Sequence, residues 1–194
     1  MKLADLDINK LYSYADYYKW QFEERVELIK GKIFKMSPAP NSDHQVLALE
    51  IGGELRDFLR KKEYKAFIAP YDVRFPRKSI DDKEIFTVLQ PDVCVFCDKS
   101  KYDKRGGIGA PDIVVEVLSP SNNETELKNK FDIYEESGVK EYWIVSPQDK
   151  TFLVNILVNG HYVTARPKVS GDFVTTPILP GFTLDLKELF DTIE

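Results

Sequence analysis

Short apolar segments with strand character alternate along this chain with longer segments in which apolar residues recur at helical spacing. Residues 8–20 place a leucine and three tyrosines at helical spacing, which predicts a helix. Val26–Ile29 and Lys32–Met36 predict two strands, and Lys30-Gly31 between them is typical of a tight turn. The first part of the chain therefore indicates an N-terminal helix followed by a β-hairpin.

A longer helix is predicted after a break in the pattern at residues 37–41. Apolar side chains recur with the helical period from Val46 to Leu59, and either Ser42 or Asp43 is suited to cap the helix N-terminus. The apolar content of residues 65–75 then predicts strands.

The most apolar segments lie in the middle of the chain. Residues 92–97 and 112–118 predict core strands, and the second is almost continuous in Ile, Val and Leu, as expected for a strand covered on both faces. Glutamates at the start of the next helical pattern and Gly138 at its end predict a helix, and Glu141–Val145 predicts another strand.

The C-terminal part predicts a hairpin and a short helix. Residues 151–158 and 161–165 flank Asn159-Gly160, a sequence that favours a two-residue hairpin turn, and residues 186–193 predict a terminal helix. Together these elements indicate an α/β fold, with a mixed central β-sheet flanked by helices and preceded by the N-terminal helix and hairpin. The length of 194 residues predicts one domain, residues 1–194.

Composition and charge limit the kind of protein. Hydrophobic residues make up 43% of the chain, enough for a core, and no apolar run approaches the roughly 18 residues of a membrane span. We therefore expect a cytoplasmic protein without membrane contact. The net charge of −5 argues against coating nucleic acid by bulk electrostatics, but leaves open a nuclease with a local basic surface.

The two cysteines, Cys94 and Cys97, have the spacing of a zinc or redox motif. A structural zinc site needs two further ligands, and the chain offers no other cysteine and only two histidines, His44 and His161. The sequence therefore favours two buried thiols on a strand.

Two acidic residues occur where strands are otherwise apolar. Asp92 opens one predicted strand and Glu116 lies inside the next, where burying an unpaired carboxylate is costly. A divalent cation would neutralise both, and Mg²⁺ prefers a few carboxylates with waters. The carbonyl of Val117 could add an oxygen ligand, and Lys130, on the following predicted helix, could orient water and offset phosphate charge.

These residues belong to a larger pattern that resembles the PD-(D/E)XK nuclease superfamily and, within it, the Uma-type restriction endonucleases. The resemblance rests on segments 25–31, 36–38, 91–93, 110–112, 116–121 and 138–143, and on His44, Lys130 and Tyr134. It implies a restriction-endonuclease-like fold, a DNA substrate and a Mg²⁺ or Mn²⁺ cofactor. It places the metal on Asp92 and Glu116 and assigns a further acidic role to Glu27.

The chain departs from the superfamily pattern at one position. The lysine of that pattern normally stands two residues after the second acidic residue, and here that position is Leu118. In the resembling family the lysine function moves to the helix, which points to Lys130. Only the position of the amine in space matters for its chemistry.

Several of these residues also have structural interpretations. Glu27 could pair with a surface lysine of its hairpin, and His44 could be either a general acid or base or a polar residue at a helix N-terminus. Asp112, after a proline at a strand start, is expected to bind local backbone, and Tyr134 and Trp143 are expected in the core.

The leading hypothesis is a metal-dependent DNA endonuclease in which Asp92, Glu116, Lys130, Glu27 and His44 are catalytic. The alternative is a catalytically inactive nuclease-fold protein that binds nucleic acid or a partner protein. The acidic net charge and the missing lysine beside Glu116 favour that alternative. A homodimer is predicted, because cutting both DNA strands requires two sites related by a two-fold axis.

Overall fold

The computed structural model describes residues 3–36, 41–120 and 124–193. The predicted break at residues 37–41 therefore lies outside the described residues except for Asn41. The same holds for residues 37–38 and 121 of the family-like pattern.

The elements follow one another in the order expected for a mixed α/β protein. The helices are α1 Tyr14–Tyr17, α2 Ser42–Leu59, α3 Glu124–Ser137 and α4 Leu186–Asp191. The strands of the first half are β1 Val26–Ile29, β2 Lys32–Lys35, β3 Lys65–Ile68, β4 Val73–Arg74, β5 Val88–Leu89, β6 Val93–Phe96, β7 Tyr102–Asp103 and β8 Gly106–Ile108. The strands of the second half are β9 Ile113–Val117, β10 Glu141–Ser146, β11 Thr151–Val158, β12 His161–Thr164, β13 Lys168–Val169, β14 Phe173–Thr175 and β15 Thr183–Asp185.

The central sheet has the strand order β12-β11-β10-β9-β6-β3, with β13 also paired to β11. Strands β9 and β10 are parallel and are joined through α3, as a parallel connection requires, whereas the other pairs in this sheet are antiparallel. The sheet is therefore mixed, and the predicted α/β fold with helices on a mixed sheet is confirmed.

A second sheet, in the order β2-β1-β5-β4-β8-β7, packs beside the central one. Its first two strands are the predicted hairpin, and Lys30 and Gly31 adopt positive φ angles of 50° and 83° as a tight turn requires. Its other strands have two or three residues and pair over long sequence distances, for example Leu28 with Val88. Segments this short carry too few residues to show a period, and the sequence prediction missed β5, β7 and β8 as strands.

Alternating side chains of β9 enter two different cores. Ile113, Val115 and Val117 face α2 and α4, whereas Val114 faces α3 and the second sheet. Helix α2 buries Leu47, Ile51, Leu55 and Leu59 in the first core. Replacing such a buried leucine by alanine costs about 2–5 kcal/mol of stability.

Two predictions about helices need correction. The N-terminal helix predicted over residues 8–20 is the single turn α1, because the aromatic rings there pack on one another and the backbone bonds to neighbouring loops, as in the Tyr14 amide to the Ile85 carbonyl. The cap of α2 is Asn41 rather than Ser42 or Asp43, and its side chain accepts the amide hydrogen of His44.

Other local predictions are confirmed. Gly138 follows α3 with a φ of 86°, and Asn159-Gly160 forms the β11–β12 turn with φ angles of 51° and 85°. No helix within the described ranges is long and apolar enough to cross a bilayer.

Candidate active site

The register of β6 and β9 brings the two predicted acidic residues to the same place. Val93 pairs with Val115 in this antiparallel pair, so the next residues outward, Asp92 and Glu116, meet at one end. The Asp92 side chain is fixed to β9 beside Glu116, because the Val117 amide donates a hydrogen bond of 2.8 Å to Asp92 Oδ2. Both acidic side chains line one cleft.

Glu116 is held by two residues of α3. Lys130 Nζ lies 2.9 Å from Glu116 Oε2, and the Tyr134 hydroxyl donates to Glu116 Oε1 at 2.6 Å. Lys130 and Tyr134 are four residues apart and therefore share one face of the helix. Glu116 continues the β9 face that carries Val114 toward α3, which explains why these side chains meet.

Glu27 joins this group from β1. Its Oε1 lies 3.7 Å from Lys130 Nζ and accepts the Gln90 amide hydrogen at 2.8 Å. Glu27, Glu116 and Lys130 are each no more than 6% exposed. The lysine amine therefore lies between two buried carboxylates, and the partner of Glu27 is this buried lysine of α3 rather than a surface lysine of the hairpin.

The pKa shifts in this group follow from burial and charge. Burial raises the pKa of Glu116 to about 7, an effect that the ammonium of Lys130 opposes and the carboxylates of Asp92 and Glu27 reinforce. Burial also raises the pKa of Glu27. Burial alone would lower the pKa of Lys130, but Glu116 and Glu27 outweigh it and raise that pKa, so the lysine stays charged at neutral pH.

His44 lies in the first turn of α2 and contacts Asp92. Its Nε2 is 3.2 Å from Asp92 Oδ2, the same oxygen that accepts the Val117 amide hydrogen. The ring is buried, and within the described parts of the chain its Nδ1 has no hydrogen-bond partner. Both interpretations of His44 therefore remain compatible with its position, at a helix N-terminus and inside the site.

The cleft in which these groups lie has a volume of about 660 Å³. His44, Asp92, Glu116, Val117 and Lys130 all line it. Its rim carries both signs of charge, from glutamates and from basic side chains: Glu23, Glu24, Arg25, Lys35 and Glu126. The cleft is large enough for part of a polymer strand.

The donor set fits a hard divalent cation held by few protein ligands. In residues 3–36, 41–120 and 124–193, no group of three or more His, Cys, Asp or Glu side chains is arranged to hold a metal ion. Mg²⁺ needs no such cage, because it is commonly bound by one or two carboxylates with waters. A carboxylate offers about four lone-pair sites, and Lys130 and Tyr134 occupy two of those on Glu116.

The structure brings together all the predicted site residues and adds two that the sequence interpretation left out. Tyr134 is fully buried, as expected of a core residue, but its hydroxyl also binds Glu116. Its spacing of four from Lys130 was the available indication. Gln90, which holds Glu27 through its backbone amide, offers no side-chain pattern that would reveal this contact.

The residues expected to be structural lie outside the cleft. Asp112 accepts the Cys97 amide hydrogen at 2.7 Å and binds Lys140, and Trp143 is fully buried in the core. Cys94 is fully buried, whereas Cys97 is only partly buried after the end of β6. The two thiols are free, and burial raises the pKa of each.

Comparison with known families identifies the chain. A model of the Uma2 family, which carries the description "putative restriction endonuclease", matches residues 14–187. The chain belongs to the Uma2 family. The match includes Glu27, His44, Asp92, Glu116 and Lys130, and the predicted family resemblance is confirmed.

Solved structures agree on the fold of this Uma2 member. A protein from Anabaena variabilis, described as a "putative nuclease belonging to DUF820", matches with a TM-score of 0.72 and 21% identity over 92% of this chain and 97% of its own. At that identity the likeness shows a shared fold. No curated protein matches the chain. Family membership supports a nuclease function.

Proposed function

We propose that this protein is a metal-dependent DNA endonuclease that hydrolyses phosphodiester bonds. The observation that carries the proposal is that Asp92 and Glu116, from adjacent strands, line one cleft together with the buried Lys130. Membership of a family described as restriction endonucleases supports DNA as the substrate.

The oxygens of Asp92 and Glu116, with the carbonyl of Val117, are the groups that would hold Mg²⁺ or Mn²⁺. The bound ion would polarise a phosphoryl oxygen and lower the pKa of a water molecule. Val117 lines the cleft beside both carboxylates, so its carbonyl remains a candidate third ligand. Such a set of few hard oxygens suits Mg²⁺ better than softer metals.

The remaining residues act on charge and orientation. Lys130 keeps a positive charge 2.9 Å from Glu116 Oε2, where it can position the attacking water and offset the charge that develops on phosphate. Glu27 holds the lysine amine from the other side. His44 Nε2 lies 3.2 Å from Asp92 Oδ2, where a proton on that nitrogen would orient the carboxylate, and its place in the cleft also allows proton transfer.

The test replaces one carboxylate in the site and a matched one outside it. Glu116→Gln keeps the shape of the side chain but removes its charge, so we expect loss of Mn²⁺ binding by calorimetry and at least about 100-fold slower DNA cleavage. Glu141→Gln changes a buried glutamate on the neighbouring strand β10 that does not line the cleft, and should keep both properties. Wild-type cleavage by Glu116→Gln at saturating metal would refute the proposal.

One observation favours a second function, a nuclease fold that binds nucleic acid or a partner protein without cutting. Lys130 forms ion pairs with both Glu116 and Glu27, so the chain itself already offsets one of the two buried negative charges. This function predicts DNA binding that persists in EDTA together with no cleavage under any divalent metal. Binding that EDTA abolishes would exclude it.

We also propose that the protein acts in the cytoplasm as a homodimer. The dimer is proposed because double-strand cleavage requires two active sites related by symmetry. Light scattering should give twice the chain mass of 22.4 kDa. A monomer at micromolar concentration would contradict this.

A further inference from the structure

An aromatic groove opens beside the proposed active-site cleft. Its walls are formed by Tyr17, Tyr18, Trp20 and Phe22, from α1 and the segment after it, and its volume is about 290 Å³. That volume is close to the lower end, about 300 Å³, of small-molecule sites in proteins. Tyr18 is 58% exposed, so its ring is accessible from solvent.

The groove and the cleft share a wall. Glu24, Arg25 and Gln90 line both spaces. Gln90 lies at the junction, because its backbone amide binds Glu27 of the proposed active site while its side chain turns into the groove. The groove therefore lies directly beside the cleft, within reach of a nucleotide that neighbours a phosphate bound there.

The floor of the groove is polar. The Gln90 side-chain amide donates to the Tyr17 hydroxyl at 3.1 Å and to Asp72 Oδ1 at 2.8 Å, and the same hydroxyl donates to Asp72 Oδ1 at 3.0 Å. Arg25 donates to Gln90 Oε1 at the junction and places a positive charge there. Apolar ring faces on the walls suit the π-face of a nucleobase. The polar edge of that base would exchange for some of the hydrogen bonds that the floor groups make with one another.

The aromatic walls are held in place before any ligand binds. Trp20 contacts Tyr12, Tyr17 and Phe22 with ring centroids 5.2, 5.7 and 5.2 Å apart. Tyr12 is buried in the core under the second sheet, which anchors this group of rings. A site that is already ordered loses little conformational entropy on binding.

We propose that the aromatic groove binds an unpaired nucleobase of the DNA strand whose phosphate lies in the cleft. This inference rests on the proposed nuclease function and adds a preference for strands with at least one unstacked base. Stacking on aromatic side chains is independent of sequence, since every base has a π-face. The proposal therefore predicts recognition of an unpaired base rather than of a base sequence.

The test compares two strands of equal charge that differ only in their bases. Fluorescence anisotropy, with Ca²⁺ to limit hydrolysis, measures binding of an oligothymidine of about 16 nucleotides and of an abasic strand of the same length. Loss of stacking on one base weakens binding about 5- to 150-fold. The wild type should therefore bind oligothymidine at least about 5-fold more tightly than the abasic strand.

Two variants locate the preference. Tyr18→Ala and Phe22→Ala should reduce the preference for oligothymidine and leave binding of the abasic strand unchanged. Phe173→Ala removes an aromatic ring, 52% exposed, on β14 outside the groove and should keep the wild-type ratio. Equal binding of both strands by the wild type, no binding of either, or an equal loss for both strands in Tyr18→Ala would overturn the proposal.

Cleavage of plasmid DNA in Mg²⁺ by the same protein separates this inference from the proposed function. If the protein cleaves DNA but binds the two strands equally, base binding in the groove is refuted and the proposed endonuclease function stands. If the base preference depends on Tyr18 but no DNA is cleaved, base binding in the groove stands and the proposed endonuclease function is refuted.

Discussion

Two glutamates are buried on neighbouring parallel strands of the central sheet, and they have different surroundings. Glu116 on β9 is 6% exposed and Glu141 on β10 is 2% exposed. Burial raises the pKa of both above the ordinary value of a glutamate. Burial and a shifted pKa therefore do not distinguish a functional carboxylate from a structural one in this protein.

The partners of the two carboxylates differ. Glu141 accepts hydrogen bonds from Trp143 Nε1 at 2.8 Å and from the Thr176 hydroxyl at 2.8 Å, and both donors are neutral and buried. Glu116 has a cation, Lys130, and a phenol, Tyr134, and it lines the cleft. Glu116 therefore has a cationic partner and faces a cleft that a charged ligand can enter. Among the residues that the structure describes, Glu141 has neither.

The comparison suggests a physical criterion for this fold. A carboxylate that serves only the structure can be satisfied by neutral donors, whereas one that must meet a metal ion and a phosphate needs a positive group nearby to remain ionised. The difference should appear when the partners, rather than the glutamates themselves, are changed.

The largest effect is expected from Lys130→Met. The change keeps most of the side-chain volume but leaves Glu116 and Glu27 as buried carboxylates without a cation. Removing one partner of a buried ion pair costs about 3–5 kcal/mol, and we expect that loss in the free energy of unfolding measured in urea. DNA cleavage should also fall by about 100-fold or more.

Two controls sharpen this result. Lys128→Met alters an exposed lysine on the same helix and should change stability by no more than about 0.5 kcal/mol. Adding Glu116→Gln to Lys130→Met removes one of the uncompensated charges and should recover part of the lost stability. If Lys130→Met is as stable as Lys128→Met, the lysine does not compensate the buried carboxylates.

Two residues of the candidate site and two hairpin turns could be predicted from local sequence alone. Glu116 stands out because it interrupts an apolar strand, and Lys130 follows on the next helix, so both could be named from the sequence. Lys30-Gly31 and Asn159-Gly160 also made two hairpins predictable from local sequence, since glycine adopts positive φ angles freely and asparagine does so more readily than most residues.

Long-range pairing was not predictable in the same way. Glu27 reaches Lys130 only because β1 pairs with β5, across about 60 residues of sequence, in a sheet whose strands are too short to show a period. Gln90 contributes through its backbone, which no residue pattern encodes. The single-turn helix α1 shows the reverse error, because tertiary packing of tyrosines outweighed their helical spacing.

A smaller effect is expected from Tyr134→Phe. The ring, which packs against Phe75 and Tyr142, is kept, and only the hydroxyl that binds Glu116 is lost. Hydrogen bonds to charged groups contribute about 1.5–3 kcal/mol, so urea unfolding should show a loss in that range. If Tyr134 positions Glu116, kcat should fall while KM changes little.

Tyr162→Phe is the matched control, because the Tyr162 hydroxyl donates to a neutral acceptor, the Val139 carbonyl, at 3.0 Å. Its loss should be about 0.5–1.5 kcal/mol, with unchanged kcat. Equal losses of stability in the two variants would show that the Glu116 oxygen behaves as an ordinary neutral acceptor.

The smallest effect concerns the pH dependence of Glu141. Burial raises its pKa above 4.5, although Thr176 and Trp143 oppose the shift, so the folded protein binds this proton more tightly than the unfolded chain. The stability from Glu141 is therefore complete below pH 4.5 and is lost as the pH rises through the folded pKa. Glu141→Gln cannot titrate, so the unfolding free energy of the wild type minus that of the variant should decrease above pH 4.5. An increase would mean that neutral donors alone keep a buried carboxylate charged here, and the lysine beside Glu116 would no longer mark a functional site.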